Sequence, residues 1–169
     1  MQNDPEYLII HTAAHAGDDY DIEDIDRWHR RRGWQMVGYH YFILKDGTIQ
    51  QGRPDDLHGA HCLDGGMNTQ SLGVCFQGHG DHEKWTRAQE LSFQRLFNQK
   101  HRDFGISSEK VHGHRRYSPV KTCPGELIEM EAVRALASAA LGMRLMEEVS
   151  PAQPVALPTG DITDVDLAP

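Results

Sequence analysis

The stretch Val111-His112-Gly113-His114-Arg115-Arg116-Tyr117-Ser118-Pro119-Val120-Lys121-Thr122-Cys123-Pro124-Gly125 gathers two histidines, a lysine and a cysteine between glycines and prolines. Neutral imidazole and thiolate are the ligands that a four-coordinate, borderline-soft ion such as Zn²⁺ prefers. A catalytic zinc site takes three protein ligands and leaves a fourth position to water. One histidine of this stretch together with Cys123 supplies two, so a third must come from a distant segment. His11, which ends the apolar run Tyr7-Leu8-Ile9-Ile10, is the candidate. Spacing alone leaves the question open, because the stretch is not the paired C-x-x-C of a zinc finger and an isolated His and Cys are usually unrelated.

The elements that must position these groups follow from local pattern. Tyr7 to His11 reads as a buried strand, and functional groups concentrate at strand ends in open α/β sheets, which suits His11 better than His15. Asp21 caps a helix with Glu23 and Asp24 at its positive end and Arg30 to Arg32 at its negative end, stopped by Gly33. Val37 to Leu44, Lys45-Asp46-Gly47 and Thr48 to Gln51 predict a β-hairpin. Residues 52 to 71 read as a long ordered loop carrying His58, His61 and Asn68. Ser71 to Phe76 is a second buried strand, with Cys75 a small core side chain. Thr86-Arg87-Ala88-Gln89 is a capping box opening a helix that runs to about Lys100 or His101. Lys110 to His112 is a short extended piece, and a last helix is predicted from Glu126 to about Met146. Beyond Val149 the composition turns to Pro, Ala and Asp. The expected organisation is therefore one domain over residues 1–147 and a disordered, Pro-rich acidic tail over 148–169.

Composition removes several classes. A formal charge of −8 argues against a nucleic-acid binder working through phosphate neutralisation and against simple adhesion to an anionic membrane. No run approaches the ~18 apolar residues of a membrane span. Met1 to Glu6 lack the basic and apolar regions of a secretory signal, which predicts synthesis in the cytoplasm. Three cysteines without such a signal do not make a disulfide framework.

Four separated segments then resemble the zinc-dependent N-acetylmuramoyl-L-alanine amidases, the family of short phage endolysins that shares its fold with peptidoglycan recognition proteins. They are Ile9-Ile10-His11-Thr12-Ala13-Ala14; Gly38-Tyr39-His40-Tyr41-Phe42-Ile43 with Asp46-Gly47-Thr48; Asn68-Thr69-Gln70-Ser71-Leu72-Gly73-Val74; and Gly113-His114-Arg115 with Lys121-Thr122-Cys123-Pro124-Gly125. The likeness covers roughly residues 7 to 140. It implies an α/β fold with a central mixed sheet flanked by helices. It also implies one Zn²⁺ per chain held by His11, His114 and Cys123, with Tyr39 and Lys121 as catalytic residues. His61 is implied, more weakly, as a substrate contact.

One departure matters: nine positions separate His114 from Cys123, about one more than in comparable relatives, and His112 competes as a ligand. The Gly-His-Arg pattern favours His114, and His112 is expected to face away from it. The implied reaction is hydrolysis of the amide between muramic acid and the first L-alanine of the stem peptide, by a monomer acting on peptidoglycan or muropeptides after release from the cytoplasm. A cytoplasmic recycling amidase, a non-catalytic binding module on the same fold and a thiol hydrolase using Cys123 are the rival expectations.

Overall fold

The computed structural model describes residues 2–149, and the predicted tail lies almost wholly outside the described residues. The elements follow in the order β1 (Tyr7–Thr12), α1 (Ile22–Arg31), β2 (Tyr41–Ile43), β3 (Ile49–Gln51), β4 (Ser71–Phe76), α2 (Arg87–Phe104), β5 (Val111–Gly113) and α3 (Met130–Val149), with short 3-10 turns at 64–69, 108–110 and 114–116. The strands form one mixed sheet ordered β3-β2-β4-β1-β5. β1 runs parallel to β4 and β5, β2 runs parallel to β4, and β2 and β3 are antiparallel. This is the predicted mixed α/β class.

Strand alternation sorts the two faces. Leu8, Ile10, Leu72, Val74 and Phe76 turn toward Phe93, Leu96 and Phe97 of α2 and Val133 and Ala137 of α3, a continuous buried core. Phe42 and Cys75 meet Ile25 and Val37 on the opposite face, under α1. Ile9 packs there with Cys62 and Met67. His11, two residues beyond Ile9, therefore emerges on the α1 side, opposite Cys75 of β4 in the register.

The helix caps form as predicted. Asp21 accepts from the amides of Glu23 and Asp24, and Thr86 and Gln89 satisfy one another's backbone donors. Three boundaries differ from the sequence reading. α2 continues one turn beyond His101 to Phe104, where Gly105 takes the left-handed conformation at φ 71°. The first hairpin strand is confined to Tyr41–Ile43, because the chain before it is taken up by the neighbouring loop. There Ala60 N donates to Gly38 O at 3.0 Å and Arg53 N donates to Tyr39 O at 2.9 Å. α3 starts at Met130 rather than Glu126, after a turn in which Ile128 N donates to Gly125 O and which is anchored to the 80–81 segment. Glu126 N donates to Asp81 and Leu127 N to Gly80 O.

On the core-facing side of α2, Lys100 is buried at 1% exposure and pairs with Asp55 at 2.6 Å and Asp103 at 3.2 Å, while the Tyr41 hydroxyl donates to Asp55 at 2.7 Å. Burial disfavours the ammonium, but the bonds to Asp55 and Tyr41 outweigh it and its pKa is raised on balance. This network ties α2 to the loop after β3. Removing one partner strands the other, so Lys100→Met should cost about 2–3 kcal/mol in chemical denaturation. A loss below ~0.5 kcal/mol would show that the pair contributes nothing net.

Candidate metal centre and cleft

Three chain segments converge at the C-terminal end of β1. His11 is the penultimate residue of the strand; His114 opens the 3-10 turn that follows β5; Cys123 sits in the loop beyond. One ligand atom from each lies within 4.8 Å of the others, and this is the one such group of three among the described residues. His11 turns Nδ1 toward the Cys123 sulfur at 3.6 Å, and its ring centroid is 4.7 Å from that of His114. Two imidazoles and a thiol, two of them buried, form the donor set a zinc ion takes. The residues therefore fit the predicted metal.

Both imidazoles are held neutral, the form that binds metal. Burial lowers His11 well below its ordinary value, reinforced by His61, His114 and Lys121. Burial, with the Lys121 charge, holds His114 down to about 4. The Cys123 thiol is pushed up to about 11, mainly by burial, with Lys121 and Arg115 opposing.

The loop bearing Cys123 is fastened from several sides. Arg115 donates to the carbonyls of Thr122 (3.2 Å), Gly125 (2.6 Å) and Ile128 (2.8 Å), and its own amide donates to Cys123 O at 2.7 Å. Thr12, next to His11, donates to Pro124 O at 2.8 Å, which joins two of the metal-binding segments directly. Asp81 accepts from the Thr122 hydroxyl at 2.9 Å and from Glu126 N at 2.7 Å. Thr12, Arg115 and Thr122 stand in the motif segments only as flanks of the candidate ligands, and Asp81 stands in none of them. A Cβ on Gly80 would stand 1.9 Å from Pro124 O. Gly80→Ala must therefore displace the loop, with an expected stability loss of about 1–3 kcal/mol and weaker zinc binding. Equal affinities in a chelator competition would refute this.

His112 and His114 differ, but not through strand alternation, since residues two apart in an extended chain share a face. The chain leaves the strand at Gly113 and turns, which carries His114 to His11. His112 stays behind, with Nδ1 bonded to the Tyr117 hydroxyl at 2.6 Å and Nε2 to Glu109 O at 3.0 Å. Neither nitrogen is left for a metal.

Tyr39 places its ring 5.1 Å from that of His11. Its pKa is raised well above the usual value by burial, with Cys75 and Cys123 adding to the effect, so it is a neutral phenol. Lys121 is exposed and lines a cleft of about 410 Å³ with His114, His61, Trp34, Leu63 and Asn68. His61 is at the floor, 8% exposed, with its ring on His11. Asn68 accepts from the amides of His61 and Cys62, both at 2.8 Å, and so braces the loop. His58 bonds Gln2 O and takes no part in the cleft.

His40 locks the floor from below. Gly73 N donates to its Nδ1 and its Nε2 donates to Leu57 O, both at 2.9 Å. Burial holds its pKa down to about 4, against a smaller opposing pull from Leu57. The folded value lies below the unfolded one near 6.5. Its stabilisation is thus complete above pH 6.5 and is lost as pH falls toward 4, by about 3 kcal/mol. Unfolding midpoints should fall across that window; a flat profile would contradict it.

Residues 1–126 match the family described as N-acetylmuramoyl-L-alanine amidase. The chain belongs to that family. Among curated relatives, the endolysin of Enterobacteria phage K11 is 38% identical over 77 residues, covering 46% of this chain and 50% of its own length. The peptidoglycan-recognition protein SC2 of Drosophila melanogaster is 28% identical over 133 residues, 74% of this chain and 71% of that protein. Among solved structures, the N-acetylmuramoyl-L-alanine amidase LysC from Clostridium intestinale URNW superimposes with a TM-score of 0.71 at 28% identity, covering 79% of this chain and 85% of the other. The alignment thus spans only about half the length of the K11 relative. In this amidase-family chain the His-His-Cys group occupies the open end of the sheet, beside the cleft. No helix among the described residues is long and apolar enough to cross a membrane.

Proposed function

We propose that this chain is a zinc-dependent hydrolase that cleaves the amide bond between N-acetylmuramic acid and L-alanine in peptidoglycan, in the manner of a phage endolysin. The observation that carries this reading is the convergence of His11, His114 and Cys123 beside a cleft edged by Lys121. When bound, zinc supplies a Lewis acid that lowers the pKa of water to about 7 and polarises an amide carbonyl.

The chain's own groups do the rest. The Tyr39 phenol can orient the attacking water by donating or accepting a hydrogen bond. Lys121 offers a cation at the rim, where negative charge develops on the carbonyl oxygen, and a proton for the departing amine. Trp34, 39% exposed, and Leu63, 83% exposed, give the cleft an apolar edge for the substrate. We further assign one zinc per chain, a monomer, synthesis in the cytoplasm and action on the wall after release.

Digestion of purified cell wall should expose new L-alanine amino termini, stop on chelation and resume with Zn²⁺. Wall that yields no such termini would overturn the assignment. Activity confined to soluble muropeptides would favour the recycling alternative. The recognition-protein relatives keep a binding-only reading in view, but Tyr39, Lys121 and Cys123 together supply the parts of a hydrolase.

A further inference from the structure

His61 lines the cleft floor, and its ring also meets His11 from behind. Its Nδ1 lies 3.1 Å from His11 Nε2, and the two rings meet edge to face at 83°. The other nitrogen, Nε2, is buried with no partner within 3.5 Å, although the Ser71 backbone favours a proton on the ring, and it lies against Gly59, 2.6 Å from where a Cβ there would stand. The ring is caged as well. A Cβ on Gly73 would come within 2.5 Å of it, and Asn68 fixes its backbone amide. A side chain at either glycine would take the space the ring fills, so the ring has little room to turn.

We propose that His61 is a positioning residue that acts through His11, selecting the tautomer and ring angle with which His11 meets the metal. This rests on the zinc amidase reading. His11 presents Nδ1 to the Cys123 sulfur, so Nδ1 must carry a lone pair to bind a metal and the ring proton must sit on Nε2. Nε2–H then donates to His61 Nδ1, which forces the His61 proton onto the unpartnered Nε2. The hydrogen-bonding partner behind a metal-bound histidine is usually a carboxylate, a backbone carbonyl or water; here a neutral imidazole fills that place. A carboxylate would add a negative charge behind His11, whereas His61 fixes direction and adds none. The lone buried donor on Nε2 is the cost of that arrangement.

The experiment uses the purified full-length holoprotein. In His61→Leu, a similar volume fills the cage without an acceptor. His61→Asn restores an acceptor oxygen close to the position of Nδ1. Zinc affinity by chelator competition should fall about 10–100-fold in His61→Leu and recover most of that loss in His61→Asn. The catalytic effect should fall on kcat, with KM within about twofold of wild type. Unchanged zinc affinity with a raised KM would make His61 a substrate contact and overturn the proposal.

A readout independent of either variant's folding is ¹⁵N-histidine NMR of the wild-type holoprotein. It should show His11 protonated on Nε2 and His61 protonated on Nε2 only; a proton on His61 Nδ1 overturns the proposal. A wild-type protein that takes up no zinc defeats the amidase reading, and this inference with it. Zinc uptake by wild type with His61→Leu unaffected defeats this inference alone.

Discussion

Cys123→Ser should leave the purified protein without stoichiometric zinc and reduce amide hydrolysis by at least about 10³-fold. A serine hydroxyl is a poor ligand beside a thiolate, and Cys123 is one of the three side chains proposed to hold the ion, so the centre would lose a third of its grip. The metal's Lewis-acid contribution is worth several kcal/mol, and each 1.36 kcal/mol is tenfold in rate. The loop itself should survive, because Arg115, Asp81 and Thr12 hold its backbone rather than the sulfur. Metal analysis of wild type and variant, run beside the release of L-alanine amino termini, checks both halves. A variant that keeps its zinc and its turnover would remove Cys123 from the centre.

Lys121→Ala should have the second largest effect and a different signature, with turnover lower by about 10²–10³-fold while zinc stays bound. Lys121 is exposed and lies two residues before the cysteine, at the edge of the same cleft as His114. It can therefore meet charge that forms on the substrate without contributing to the fold. Truncation at such a surface position should change stability by no more than about 0.5 kcal/mol. Its positive charge is also one of the influences that keep His11 and His114 neutral. Lost turnover with zinc retained and the thermal midpoint unchanged is the expected pattern. Near-normal turnover would assign the oxyanion to another group, and lost zinc would make Lys121 structural.

Much of the scaffold could be read locally. Asp21 and Thr86 announce their helices because a cap is a contact between residues three apart. The Asp46-Gly47 turn is legible for the same reason, with Asp46 accepting from Thr48 N at 2.7 Å and Gly47 at φ 89°. Misplaced boundaries occurred where a distant partner intervened. Helical pattern from Glu126 onward does not show that residues 126–129 form a turn fastened to Asp81 and Gly80, 45 or more residues away. The first hairpin strand was drawn too long because the loop through Ala60 takes the place of regular pairing.

The centre divides in the same way. Residue chemistry and motif order singled out His11, His114, Cys123, Tyr39 and Lys121, and the fold brings the first three within bonding reach of a single ion. What lay beyond the sequence was direction. Strand alternation could not separate His112 from His114; the turn after Gly113 does. From the sequence His61 is simply one more residue of the cleft loop, because the histidine it bonds is 50 residues away and one of the two glycines against its ring, Gly73, lies on β4.

The ligand chemistry, the family pattern, the caps and the alternating faces depend on residue type and on neighbours a few positions apart, and so are legible along the chain. Which imidazole nitrogen faces the sulfur, which histidine lies behind it and which braces hold the cysteine loop are set by the packing of distant segments. Those outcomes depend on β1 lying between β4 and β5 in parallel register, which brings together atoms from positions more than a hundred residues apart along the chain.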